Sequence, residues 1–409
     1  MMKLTRFLAW AALVLLWTAA AELLTAQTAL PDTPAGKRPT EIPAAAVPPP
    51  PPVPAGPDEA ARPVPAPSQE ELIKTIDRFI DELAARDEFS GAVLVAKDGK
   101  AIYKKALGYA DKGFKVPNRA DTRFNLGSMN KMFTGTAIMQ LLQQGKLALD
   151  GKVGNYLPDY PNQAVRDKVT IHHLLTHTSG LGQYWEEYFQ SPKILEISTV
   201  ADYDNLANRN PLQFEPGEKF LYSNCGPLVL GLIIEKLSGM SYYDYVRKYI
   251  YGPAGMTRSD SYDITTVVDN LAVGYTKGSP LGRSYPDWRS NIGIHPLKGG
   301  PAGGGYSTVE DLLNFDIALR NGTLLSAENF KRMTSGKVVR DPKTHYAYLF
   351  QEKFVNGHRI IGHNGGAGGS NSHLAMYMDL GYTVAVMANY DPPVAERVAA
   401  KLEELLTKD

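Results

Sequence analysis

Ser128-Met129-Asn130-Lys131 is the one place in this sequence where a serine precedes a lysine by three residues. On a helix that spacing puts both side chains on one face, a turn apart. A serine hydroxyl is a weak nucleophile until a base takes its proton, and a lysine kept from water can be that base by giving up its charge. Met129, Met132, Phe133, Ala137, Leu141 and Leu142 recur beside the pair at helical period, so the serine opens a helix whose other face is core. Free backbone N–H groups and the positive dipole end favour a developing oxyanion there. The same residues also read as an N-capping serine and a solvated lysine, and the motif alone does not choose.

Tyr222-Ser223-Asn224 stands just ahead of Pro227 and the apolar helix expected from Leu228 to Leu237, which stops at Gly239. Residues two apart in an extended segment face the same way, so the Tyr222 phenol and the Asn224 amide can enter one cavity. Tyr222 could relay a proton between Ser128 and a leaving group, while Asn224 could hold Lys131 and a substrate carbonyl. A packed tyrosine and an N-capping asparagine are the plainer alternative. His363-Asn364-Gly365-Gly366 forms a third element. Its glycines let the backbone approach a ligand, and the Gly366 N–H could join that of Ser128 as an oxyanion hole; a simple turn is the competing reading.

Other chemistries are excluded by what is missing. There is no Gly-Lys-Ser/Thr phosphate loop, no G-x-G-x-x-G, no H-E-x-x-H and no G-x-S-x-G. His173 and His177, four apart, have metal-compatible spacing but no third ligand, so they read as packing residues and no metal or cofactor is expected. The 43 basic residues balance the 43 acidic ones, which argues against a nucleic-acid partner. Cys225 is the sole cysteine, so no internal disulfide supports the fold.

The elements that must position these groups are legible at both ends. Ser68-Gln69-Glu70-Glu71 is a capping box before Leu72, Ile73, Ile76, Phe79, Ile80 and Leu83 at helical spacing. Ala92–Val95 and Ala101–Tyr103 flank Asp98-Gly99, a hairpin signal. Leu374–Met378 and Tyr382–Ala388 flank Asp379-Leu380-Gly381, and a final helix is expected from Val394 to Leu406. This predicts an α/β (α+β) fold: an antiparallel sheet built from both chain ends, flanked by helices, with a mainly helical second region. Tyr184-Trp185 to Phe189 is expected to shape the cleft or to pack.

The order of the three elements resembles the serine hydrolases of the β-lactamase and penicillin-binding-protein superfamily, in particular its class C-like branch of D-aminopeptidases, DD-carboxypeptidases and esterases. S-x-x-K, Y-x-N and H-x-G fall on Ser128/Lys131, Tyr222/Asn224 and His363/Gly365. Thr170-Ile171-His172-His173-Leu174-Leu175-Thr176-His177-Thr178-Ser179-Gly180-Leu181, Pro216-Gly217 and Pro301-Ala302-Gly303-Gly304 are also similar to family segments. The likeness implies acyl transfer through Ser128, with Lys131 and Tyr222 sharing the proton work, Asn224, His363, Gly365 and Gly366 contacting substrate, and a small-molecule or peptide substrate, peptidoglycan-derived peptides included. Where many members have lysine in the third motif, His363 supplies only a conditional charge. That departure favours ester, amide or D-amino-acid peptide hydrolysis over true β-lactamase activity, and Lys131 as proton acceptor. A weakly catalytic, envelope-tethered binding module is the alternative class.

The chain before this region is of another kind. Lys3 and Arg6 precede an apolar run from Phe7 to Ala21, the order of a secretory signal or N-terminal anchor over residues 1–21. Residues 22–67 read as a linker, with 14 prolines in the 37 residues from Pro31 to Pro67. Such a segment buries too little to offset its ordering entropy, and extended it would reach about 110 Å. The expected organisation is therefore export to the periplasm or beyond, a spacer, and a hydrolase domain over residues 68–409.

Overall fold

A computed structural model describes residues 68–279 and 282–408. The leader and the whole proline-rich stretch lie outside the described residues.

The chain enters through α1 (Gln69–Ala85), whose capping box is formed: the Glu71 carboxylate accepts from the Ser68 backbone N–H at 2.9 Å, and the Ser68 hydroxyl accepts from the Glu71 N–H at 3.3 Å. The hairpin β1 (Gly91–Lys97) and β2 (Lys100–Leu107) follows. A helical region then carries α2 (Lys131–Gln143), α3 (Cys225–Ser238) and α4 (Val309–Arg320). Five hairpin-connected neighbours come next, β3 (Val338–Asp341), β4 (Thr344–Tyr346), β5 (Gln351–Val355), β6 (His358–Ala367) and β7 (Ser370–Tyr377), then β8 (Tyr382–Ala388) and α5 (Val394–Leu406).

These strands make one eight-stranded antiparallel sheet in the order β2-β1-β8-β7-β6-β5-β4-β3. The first strand lies against the last, with Val93 opposite Val386 and Leu94 opposite Ala385. Side chains alternate across a strand, and β1 is buried on both faces. Val93 and Val95 join Leu72, Ile76 and Ile80 of α1 and Val398 and Leu402 of α5 in one core, whereas Ala92, Leu94 and Ala96 face the helical region in another. The sheet expected from both chain ends is therefore present, with helices on each face. Among the described residues no helix is long and apolar enough to cross a membrane.

Candidate active site

Ser128 lies on a 3-10 turn, Gly127–Asn130, that leads directly into α2. The α-helix proper begins at Lys131 rather than at the serine. Helix α2 has no solvated face over its first turns: Lys131, Met132, Phe133, Thr134, Gly135 and Thr136 are all buried. The lysine is thus carried into the core, and Ser128 stays half-buried at the edge of a cleft.

The turn is pressed against strand β6. Ser372 donates to the Leu126 carbonyl at 2.6 Å, and Gly127 adopts φ +50°, a left-handed conformation suited to glycine. A Cβ at Gly127 would come within 2.8 Å of the Gly366 nitrogen, and one at Gly365 would overlap the Leu126 carbonyl and lie 2.9 Å from the Ser128 nitrogen. Gly365 and Gly366 sit within β6 rather than in a turn: at Gly365 nothing larger lets the serine turn and the strand approach this closely, and at Gly366 a Cβ would come 2.6 Å from Pro392. The Ser128 N–H finds no acceptor among the described residues, and Gly366 lines the same cleft.

Lys131 Nζ reaches three acceptors: Ser128 Oγ at 3.2 Å, Asn224 Oδ1 at 2.7 Å and the Ala302 carbonyl. All are neutral, and among the described residues no carboxylate lies in ion-pair range of it. Burial without a counter-charge pushes the amine well below its ordinary 10.5. The orientation of Asn224 is fixed by a backbone group. Gln183 Nε2 donates to the Tyr222 carbonyl at 2.7 Å, so Gln183 Oε1 faces Asn224 Nδ2 at 2.6 Å, and Asn224 must turn its oxygen to the lysine. A neutral amine has two N–H groups and one lone pair. With Asn224 and Ala302 taking the N–H groups, the lone pair is left for the Ser128 hydroxyl.

The Tyr222 phenol lies beside Ser128, and Lys131 Nζ lies 4.8 Å from its ring centroid. Burial raises the phenol to about 12, opposed by the Ser128 hydroxyl and by the charge of Arg340, so it remains protonated in the neutral range. Ser128, Lys131, Tyr222 and Asn224 are thus one cluster, assembled from a turn, a helix and the irregular segment before α3.

His363 is placed differently from the substrate contact expected of it. Its imidazole is buried behind the cleft wall, with Nε2 2.9 Å from the Tyr346 hydroxyl and Nδ1 2.5 Å from the Asn364 carbonyl. Burial above all, with a smaller push from Lys131, lowers it to about 3. It is neutral at pH 7 and offers no cation to a substrate carboxylate. Gly365 likewise serves the close approach of the turn, while Asn224 and Gly366 line the cleft. His173 and His177 do not share a helix: the helical turn Ile171–Leu175 ends between them, and His177 has φ +57°. Among the described residues no group of three His, Cys, Asp or Glu side chains is placed to hold a metal ion.

The cleft itself is narrow, about 60 Å³, with Tyr184, Trp185 and Lys298 on its wall and Phe189 stacked on Trp185 at 6.2 Å. A wider surface groove of about 540 Å³ beside Tyr160 and Asp204 contains none of the reactive groups. Three contributors to the site carry no label in the sequence. Ala302 lies in the Pro301-Ala302-Gly303-Gly304 run, whose glycines were a signal of close backbone approach; Gln183 and Tyr346 have no local signal.

This fold and site define a serine hydrolase of the β-lactamase and penicillin-binding-protein superfamily: residues 76–408 match the Beta-lactamase family, and the chain belongs to it. Penicillin-binding protein 4* of Bacillus subtilis (strain 168) is 31% identical over 328 residues, covering 77% of this chain and 71% of that protein. Esterase EstB of Burkholderia gladioli is 34% identical over 223 residues, 51% of this chain and 56% of the esterase, so the match spans little more than half of that relative. Among solved structures, the penicillin binding protein from Bacillus halodurans superimposes with a TM-score of 0.71 at 29% identity, covering 83% of this chain and 99% of that one. The D-stereospecific amidohydrolase from Streptomyces sp. gives 0.69 at 26% identity, covering 80% and 98%.

Proposed function

We propose that this chain hydrolyses an ester, an amide or a D-amino-acid peptide through an acyl-enzyme on Ser128. One observation carries the reading: the Ser128 hydroxyl sits between a buried lysine with no carboxylate partner and a protonated phenol. Lys131 takes the hydroxyl proton as Oγ attacks the carbonyl carbon, and the oxyanion rests on the Ser128 and Gly366 N–H groups. Tyr222 gives its proton to the leaving group as the acyl bond to that group breaks, and the proton held by Lys131 passes to Tyr222 to restore both groups. Water then attacks the acyl-serine, returning the serine and releasing the acid.

The neutral third-motif histidine favours substrates without a required carboxylate in that position, which places esters and amides ahead of penicillins. The likeness to an esterase and to a D-stereospecific amidohydrolase supports the same choice. Export belongs to the proposal on the strength of Lys3, Arg6 and the Phe7–Ala21 run, and it puts peptidoglycan-derived peptides within reach of the cleft.

Incubation with a serine-reactive fluorophosphonate and with a penicillin, read by intact mass, tests the mechanism. An adduct on the wild type that is missing from Ser128→Ala supports it, and no adduct with either probe favours a binding module. Initial rates on p-nitrophenyl esters, D-amino-acid amides and a chromogenic cephalosporin then rank the substrate classes.

A further inference from the structure

His177 is unusual in two respects. It is a non-glycine residue at φ +57°, a conformation that persists only where the surroundings enforce it, and it is fully buried. What holds it is Tyr222's own segment. The Leu221 N–H donates to the His177 carbonyl at 2.9 Å, and the Ser223 N–H donates to His177 Nδ1 at 3.2 Å. The residues on either side of the phenol are therefore both fastened to one histidine, whose ring lies 4.5 Å from that of Tyr222.

The bonding continues across the site. His177 Nε2 is 3.0 Å from the Tyr346 hydroxyl, which is 2.9 Å from His363 Nε2; His363 Nδ1 is 2.5 Å from the Asn364 carbonyl. The two backbone ends settle every proton. Ser223 N–H can only donate, so His177 Nδ1 is bare and its Nε2 carries the hydrogen. Asn364 C=O can only accept, so His363 carries its hydrogen on Nδ1 and its Nε2 is bare. Tyr346 must then accept from His177 and donate to His363. Each nitrogen and the hydroxyl has one role, and a further proton on either ring would face an N–H or O–H already pointing at it.

We propose that His177, Tyr346 and His363 form a proton-ordered strut that joins the Tyr222 segment to strand β6 and sets the spacing between the phenol and the Gly366 N–H. His177 and Tyr346 are positioning residues, since neither touches a reacting atom. The inference deepens the proposed hydrolase reading and rests on it for the catalytic consequence, although the proton order itself does not. The titratable and charged groups that act on the strut are Arg340 of β3, Lys131 of α2 and, at His363, His373 of β7, the last two held neutral by burial; Tyr222 is also packed on it. Burial above all, and the charge of Arg340, keep both rings neutral near pH 7.

Two measurements test this. Long-range 1H–15N correlation spectra of the histidine-labelled wild type at pH 6–8 should show His177 as the Nε2–H tautomer and His363 as the Nδ1–H tautomer. That result is read whether or not the protein turns over a substrate; either ring in the other tautomer, or doubly protonated, overturns the strut. Tyr346→Phe keeps the ring and leaves His363 Nε2 without its donor. It should lower kcat by about 10-fold to 100-fold with little change in KM, as a misplaced group does. A variant with wild-type kcat, or one whose kcat and KM change together, refutes the positioning role. Failure of the hydrolase reading is seen separately, as a Ser128→Ala protein that keeps the activity.

Discussion

Replacing Lys131 by methionine separates what the amine does in catalysis from what its burial does to stability. In the unfolded chain this group titrates near 10.5, and in the fold burial beside neutral acceptors holds it well below that value. Between the two values the unfolded state binds one proton more than the native state, so the free energy of unfolding rises with pH by about 1.4 kcal/mol per unit. The sign follows from a depressed lysine pKa: stability falls as pH drops below 10.5. Lys131→Met lacks this slope, and the remaining ionisations are shared by both proteins and cancel in the difference. The substitution also leaves Asn224 Oδ1 and the Ala302 carbonyl without a donor, a pH-independent loss of about 1–3 kcal/mol each. Urea unfolding of both proteins at pH 8, 9 and 10 should therefore show the wild type gaining on the variant by about 1.4 kcal/mol for each unit of rising pH. Esterase kcat should fall by roughly 10²–10⁴ in the variant, the usual contribution of a general base. Parallel stability curves would mean that the lysine is charged in the fold, and the base assignment would be lost.

Three further outcomes are expected. Tyr222→Phe should slow amide hydrolysis by about 10² or more yet affect a p-nitrophenyl ester much less, because p-nitrophenolate leaves without a proton; equal losses on both would argue against proton donation by the phenol. Gly365→Ala forces a methyl group onto the Leu126 carbonyl, so kcat/KM should fall about 10²-fold while the circular dichroism spectrum is kept. Burial holds His363 and His373 at about 3, far below the unfolded value near 6.5. Their contribution is complete above 6.5 and is lost as pH falls toward 3, at about 1.4 kcal/mol per unit for each, so a flat stability profile between pH 6.5 and 4 would contradict their burial as neutral rings.

The sequence carried the reactive cluster because its signals are short in range. A serine and a lysine three apart need only one helical turn, and Tyr222 and Asn224 need only an extended backbone. Strands β1, β2, β7 and β8 alternate or run apolar between turn residues and were equally legible. Strand β6 was not, since His358–Ala367 is rich in polar residues and glycine and looks like a turn until the serine segment is packed against it. Helix α2 carries a periodic apolar pattern, but nothing local reveals that its remaining faces are covered too, which is what neutralises Lys131. His363 looked like a substrate ligand because its partner, Tyr346, lies on the three-residue strand β4, which carries no motif. His177 was read as packing, and its bonds to Leu221, Ser223 and Tyr346 depend on segments more than forty and more than one hundred and sixty residues away.

The pairing of β1 with β8 means that two adjacent strands inside the sheet are separated by almost the whole length of the domain. A ribosome must finish nearly all of the polypeptide before Val386 can settle beside Val93, and Gly366 belongs to the same late-made stretch. Contacts between such remote partners form late because a long loop has to close first. A nascent or truncated copy would present a serine without its oxyanion partner. On the proposed mechanism, acylation must therefore wait until the strand that carries Gly366 has been made and packed.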